Sequence, residues 1–385
     1  MDIKIKNRKI KLALGFDDIS IAPSYFTIDP AEINTDFRIG KFVFPLPFIA
    51  SAMDGVVDVR FATEIGKLGG LAVLNLHGLQ TRYENPDEII KMIISAKSEQ
   101  ATALIQKVYK EKIKENLIIK RIKEIKKHNV PCAVSSIPQD AERFGETAAR
   151  AGVDLFFVQS TVTSVRYISK TQKSLNLKKF CSQTNVPVVV GNCVGYRVAK
   201  ELMEAGAAGV LVGIGPGAAC TTRGVLGIGV PQVTATIEAA AARDDFLKKT
   251  GKYIPIITDG GMITGGDVVK AFASGADAVM MGAAFARSKE SPGKGCHWGM
   301  ATCHEALPRG TKIFTGVKGG LKNILLGPAV VDDGTQNLLG ALKSAMGLCG
   351  AKNIKEFHNA ELVASISFLS EGKLFQSLQR VGMGK

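Results

Sequence analysis

Short unbroken apolar runs alternate along the chain with longer stretches in which apolar residues recur every three to four positions. The runs are FPLPFIASAM (44–53), GGLAVLNL (69–76), VPCAVSSI (130–137), VDLFFVQS (153–160), VPVVVGN (186–192), AGVLVGIG (208–215), YIPIITDG (253–260) and ADAVMMGAA (276–284). They are rich in Val and Ile and mostly lack polar alternation, as strands buried on both faces of a parallel sheet do. Helical spacing is read at 56–67, 140–151, 197–205, 232–248 and 266–274, and the stretch 85–127 has room for two helices. Eight strands alternating with helices predict an α/β fold, a closed (β/α)8 TIM barrel forming a single domain over residues 1–385. An open doubly wound sheet is the alternative, and the count of eight argues against it.

Composition narrows the class. Hydrophobic residues make up 46% of the chain, enough for a large core, and 41 glycines suit many tight strand-to-helix turns. No apolar run reaches the length of a membrane span, and MDIKIKNRKI lacks the apolar centre of a signal peptide, so a cytoplasmic location is expected. The seven cysteines are odd in number with no CxxC pair, against a zinc site or a disulfide framework. The net charge of +14 is partly local, since nine of the 21 residues from Lys107 to Lys127 are Lys or Arg. Glu111, Glu115 and Glu124 interleave there with Ile113, Leu117, Ile118, Ile122 and Ile125. That pattern describes a solvated, half-buried helix, and no aromatic series stands ready to stack bases, so no nucleic-acid partner is expected.

Barrel enzymes carry their chemistry at the C-terminal ends of the strands. Those ends read Ser51-Ala52-Met53-Asp54, Gln159-Ser160, Gly191-Asn192, Gly213 to Gly217, Asp259-Gly260-Gly261 and Met281-Gly282. After strands seven and eight, glycines precede a helix start, an arrangement suited to a phosphate. The loop after strand six is GIGPGAACTTRGVLGIGVPQ (213–232). A cysteine on such a glycine-rich loop is poorly placed for core packing and well placed for attack on a substrate. Loop amides and Arg223 stand nearby to favour the thiolate, the nucleophilic form.

This loop closely resembles the catalytic loop of the IMP dehydrogenase and GMP reductase family, GIGPGSxCTTR followed by GxGxPQ. LGFDDISIAP (14–23), SAMD (51–54), GN (191–192), DGG (259–261), MMG (280–282), GM (299–300) and MGLCGAKNIKEF (346–357) agree with it. The chain looks most like the short "IMP dehydrogenase-related" subgroup, without the paired regulatory CBS modules between strands two and three. The resemblance implies that Cys220 attacks C2 of a purine mononucleotide and that Thr222 positions the water or ammonia at C2. It implies Asp259 on the ribose hydroxyls, with Gly260, Gly261 and Gly282 around the 5′-phosphate. Ser51 and Met53 would line the pocket, and Gly299, Met300 and Gly310 would face the base. Gln159, Ser160, Gly213 and Gly215 are expected on the NADPH or NAD cofactor. A potassium ion on the carbonyls of Gly215, Gly217 and Cys220, and a homotetramer or octamer, are implied in the same way.

Four positions depart from the family pattern: Ala218 and Ala283 replace phosphate-binding serines, His297 replaces an aromatic phosphate contact, and Gln159 replaces an aspartate that contacts nicotinamide. An imidazole at 297 can still bind phosphate, more strongly at low pH where it is charged. The largest departure is that only ATCHEALPR (301–309) separates Met300 from Gly310. The long flap of the dehydrogenases, with its Arg-Tyr pair, is missing, and Arg309 precedes Gly310 where the family has Glu or Gln. Glu305 or His304 is the nearest candidate general base. The expectation is a GMP reductase, with an IMP dehydrogenase as the alternative from the same family. A catalytically silent nucleotide-binding regulatory barrel and a flavin-dependent barrel oxidoreductase are the rivals of other classes.

Overall fold

A computed structural model describes residues 2–5, 8–170, 174–300, 310–364 and 373–382. Eight strands close into a barrel: β1 (Phe48–Ala50), β2 (Leu71–Asn75), β3 (Ala133–Ser136), β4 (Leu155–Gln159), β5 (Val188–Cys193), β6 (Gly209–Val212), β7 (Ile256–Asp259) and β8 (Ala278–Met281). Every pairing in the barrel is parallel, and closure comes from β8 on β1, with Val279 opposite Phe48. The apolar runs are unbroken because alternate side chains enter two different cores. Ile49, Leu71, Val73, Leu155 and Phe157 fill the barrel, while Phe48, Ala50, Phe156 and Val158 meet the helices. An antiparallel hairpin, Phe37–Ile39 with Phe42–Phe44, stops the bottom, its Phe37 and Phe44 rings stacked at 5.5 Å.

The helices follow the predicted spacing closely. α1 (Val59–Lys67) starts where Asp58 accepts from Phe61 N at 2.6 Å, the usual N-cap arrangement. The stretch 85–127 holds three helices rather than two: α2 (Pro86–Ser95), α3 (Ser98–Val108) and α4 (Glu115–Lys126). Lys110-Glu111-Lys112 has no apolar side chain to bury, so the pattern breaks there and the chain turns. α4 buries Leu117, Ile118, Ile122 and Ile125, while most of its basic residues face outward, as its charge pattern predicted. Then come α5 (Ala141–Arg150), α6 (Leu177–Gln183), α7 (Tyr196–Glu204), α8 (Thr222–Leu226), α9 (Gln232–Thr250) and α10 (Gly265–Ala273). Beyond β8, β9 (Cys296–Trp298) and β10 (Lys312–Phe314) pair antiparallel at the C-terminal rim. Among the described residues no helix is long and apolar enough to cross a membrane.

Candidate active site

A cavity of about 500 Å³ opens at the C-terminal rim. Its wall includes Ser51 and Met53 after β1, Gln159 and Ser160 at β4, and Gly213, Gly215, Gly217, Cys220 and Thr222 after β6. Asp259, Gly260 and Gly261 after β7, Gly282 after β8, and His297, Gly299 and Met300 complete it. Gly310 sits just behind: a Cβ there would fall 2.5 Å from the Gly299 Cα and 3.0 Å from the Ala219 carbonyl. Only a glycine fits that crossing, and its φ of +141° suits glycine too. Glu305 and His304 lie outside the described residues.

Cys220 is exposed at the cavity, and its thiol donates to Thr222 Oγ1 at 3.1 Å. The other described cysteines are different. Burial pushes Cys132 and Cys193 up to about 12 and Cys181 up to about 11, which keeps them protonated and inert. The loop is braced from within. Arg223 bonds to the loop's own carbonyls: its Nε donates to the Ile214 carbonyl at 3.2 Å and its Nη2 to the Val230 carbonyl at 2.7 Å. It straps the glycine loop shut. Gln232 donates to the carbonyls of Val212 and Asp259, at 2.7 and 3.0 Å, tying the ends of β6 and β7 together.

Asp259 is enclosed by protein in nearly every direction yet keeps a face on the cavity. Desolvation raises its carboxyl to about 6, although Asn192 Nδ2, donating at 2.7 Å, and the Ser51 hydroxyl pull the other way. Gln159 Nε2 donates to the same oxygen at 3.2 Å and to Asn192 Oδ1 at 3.1 Å. The residue expected on the cofactor is thus turned onto Asp259, because a desolvated carboxyl draws every donor in reach. Such a group can accept from a vicinal diol, which brings the donors its pocket lacks.

The expected anion site needs correction at α10. Thr264 Oγ1 accepts from Asp267 N at 3.3 Å, and Asp267 Oδ2 accepts from Ile263 N and Thr264 N at 3.0 Å each. That capping box occupies the start of α10, so Gly260, Gly261, Gly282 and His297 remain at that end of the cavity. His297 is only 2% exposed, and its Nδ1 has no partner among the described residues. Burial first, then the nearby Arg287 guanidinium, hold its imidazole down to about 4. In the nucleotide-free cavity it is therefore neutral at physiological pH.

The same cavity reaches Asn75, His77, Arg82, Ser135 and Ser136 at the ends of β2 and β3. His77 Nε2 lies 3.1 Å from Ser136 Oγ. These residues went unread in the sequence, though the rule that picked the other strand ends also applies to Asn75 and Ser136.

The model of the IMP dehydrogenase / GMP reductase domain matches residues 13–373. The chain belongs to the IMP dehydrogenase / GMP reductase family. An uncharacterized oxidoreductase of Mycolicibacterium smegmatis is 37% identical over 364 residues, covering 92% of this chain and 97% of its own. The inosine-5′-monophosphate dehydrogenase of Cryptosporidium parvum is 31% identical over 380 residues, covering 91% of each chain. A solved IMP dehydrogenase/GMP reductase-like protein from Corynebacterium glutamicum superposes with a TM-score of 0.89 at 34% identity, over 95% of this chain and 97% of that one. A purine-nucleotide oxidoreductase on a TIM barrel follows from family membership. Within the family fold, the stretch 85–127 between β2 and β3 is three helices and no regulatory module.

Proposed function

We propose that the protein is a GMP reductase, converting GMP to IMP and ammonia. The observation that carries the covalent chemistry is an exposed Cys220 thiol 3.1 Å from the Thr222 hydroxyl, in the same cavity as the desolvated Asp259. Asp259 holds the ribose hydroxyls, and Gly261, Gly282 and the neutral His297 receive the 5′-phosphate. The cavity arm lined by His77, Ser135, Ser136, Ser160 and Thr161 is hydroxyl-rich and fits a nicotinamide ribose. A reduced nicotinamide bound there supplies a hydride to C2. NADPH is the expected form and NAD(H) the alternative.

The chain's own part is nucleophilic and acid–base. The Cys220 sulfur bonds to C2 as the C2–N3 π pair moves onto N3, and the thiol proton is relayed through the Thr222 hydroxyl to the C2 amine. The C2–amine bond then breaks as ammonia leaves with a delivered proton. Once C2 is reduced, the sulfur–C2 bond breaks and the thiolate returns. The carbonyls of Gly215, Gly217 and Cys220 are hard donors of the kind potassium takes. Gly217 already accepts from Cys220 N at 3.0 Å and keeps one lone pair for a cation. A homotetramer or octamer and a cytoplasmic location complete the reading.

Cys220→Ala tests the covalent route. Turnover should vanish while GMP and IMP binding persist, since the ribose and phosphate groups are untouched. Retention of more than about a tenth of the rate, a barrier change under ~1.4 kcal/mol, would overturn it.

A further inference from the structure

The helix pair α2–α3, part of the insertion between β2 and β3, grips the β9–β10 hairpin at three points. Period-two alternation turns His297 of β9 toward the cavity and its neighbours Cys296 and Trp298 into an apolar cluster with Ile90, Ile93 and Ile105. On the other stem, opposite Trp298, Lys312 Nζ donates to the carbonyls of Ile93, Ile94 and Ala96 at the end of α2, at 3.2, 3.2 and 2.5 Å. A lysine there caps the carbonyls of the last turn, at the negative end of the helix dipole.

The third point is polar and buried. Tyr109, the residue that ends α3, accepts from Trp298 Nε1 at 2.8 Å and donates to Asp54 Oδ2 at 2.5 Å. The same carboxyl oxygen accepts from Leu79 N at 2.9 Å, and Asp54 is 1% exposed. Met300 Sδ lies 3.2 Å from the tyrosine oxygen and also lines the cavity. From the other side, the backbone of Gly55 packs so closely on β9 that a Cβ would fall 2.6 Å from the Cys296 carbonyl. Apolar packing alone would allow β9 to slide, whereas a directional chain of hydrogen bonds in a dry core fixes one register.

We propose that Tyr109 is a positioning residue for the nucleotide: through Trp298 and Met300 it sets where His297 and the Gly299-Met300 turn meet the phosphate and the base. It acts through those residues and touches no substrate itself. The inference rests on the nucleotide reading above, and the test separates the two.

Trp298 is the only tryptophan in the chain, so its emission reports on this network alone. GMP and IMP are titrated into wild type and Tyr109→Phe, following tryptophan fluorescence and, independently, heat of binding. The phenylalanine keeps the ring and the packing but leaves the indole N–H and Asp54 each one partner short. Both nucleotides should bind about five- to thirty-fold more weakly, and the ligand-dependent change in Trp298 emission should be lost. The unfolding midpoint without nucleotide should fall by a few degrees, from the two buried bonds lost, and in turnover KM should rise more than kcat falls. A merely structural tyrosine would instead lower the midpoint and leave the folded protein's affinity and KM unchanged, which overturns the proposal. Equal affinity of wild type and variant overturns the proposal alone. Failure of wild type to bind either nucleotide overturns the nucleotide reading and the proposal with it. Lys312→Met, which frees the other stem, should weaken binding in the same way. If Tyr109→Phe does not fold, unchanged affinity in Lys312→Met decides against the proposal.

Discussion

Replacing Asp259 by an asparagine should strengthen the empty protein and weaken its grip on a nucleotide. In the fold the carboxyl sits at about 6 against an ordinary 3.8, raised mainly by desolvation. A rise of that size, roughly two pH units, corresponds to ~3 kcal/mol, the cost of keeping Asp259 ionised in its pocket. The sign follows from proton counts. Below about pH 4 the group is protonated in both folded and unfolded chains, and no cost arises. Between about 4 and 6 the unfolded chain has lost the proton and the folded one retains it, so stability falls as pH rises. Above about 6 the full cost is present and constant. The amide of Asp259→Asn cannot ionise, and its oxygen can still accept from Asn192, so the variant should melt a few degrees higher at pH 8 and show no gain at pH 4. Binding should move the opposite way. A charge-assisted hydrogen bond to the ribose is worth ~1.5–3 kcal/mol, so GMP and IMP should bind the variant roughly 10- to 150-fold more weakly at pH 8. At pH 5 the wild-type carboxyl is itself only about a tenth ionised, and the ratio of affinities should shrink severalfold. Taking the ratio at each pH cancels the titration of the nucleotide's own phosphate. Thermal unfolding and titration calorimetry at pH 8, 6 and 5 supply both readouts. Equal affinities at pH 8 would refute the ribose assignment, and a lower melting point there would refute the desolvation argument.

His297→Ala should weaken nucleotide binding by ~1 kcal/mol, and by the same factor at pH 5.5 as at pH 8, because the imidazole stays neutral down to about 4. A penalty that grows on acidification, seen in the same titrations, would mean the histidine is charged in its pocket. At the opposite end of the barrel, Asp277 pairs with the buried Arg243 at 3.0 Å and accepts from Ile256 N at 2.8 Å. Asp277→Ala should cost ~2–4 kcal/mol in denaturant unfolding and leave nucleotide affinity of the folded protein unchanged, because it removes the buried partner of Arg243, far from the cavity, and leaves it only the half-exposed Asp244 as an acidic partner.

The barrel was legible because its strands have no solvent side: Val188 to Val190 or Phe156 to Val158 read as plain apolar runs whichever core each residue enters. The third helix of the insertion was not, since charges at 110–112 look the same on a helix surface as in a turn. Cys220 and Asp259 stood out because small residues around a cysteine, or an aspartate before two glycines, have little use in packing. Arg223 has a bracing role that its position in the sequence did not reveal. Sequence places it three residues from Cys220, but a guanidinium with five donors is drawn to the loop carbonyls it can reach. His297 looked like a phosphate histidine, and nothing in its neighbours reveals that β9 is buried between a loop of the barrel and the α2–α3 pair. Tyr109, hidden in a run of lysines, could be recognised only once the fold brought it to Trp298 and Asp54.

The direction of catalysis is tested most directly by following absorbance at the nicotinamide band with purified protein in two mixtures, GMP with NADPH and IMP with NAD⁺. Oxidising IMP must end by hydrolysing the thioimidate on Cys220, which needs a base that activates water. The nine residues 301–309 contain no tyrosine, and Arg309, their only arginine, directly precedes Gly310. Reduction has no hydrolytic step. GMP-dependent loss of NADPH, with little or no NADH formed from IMP, is the predicted result. Robust formation of NADH and XMP from IMP and NAD⁺, with no GMP-dependent loss of NADPH, would contradict it.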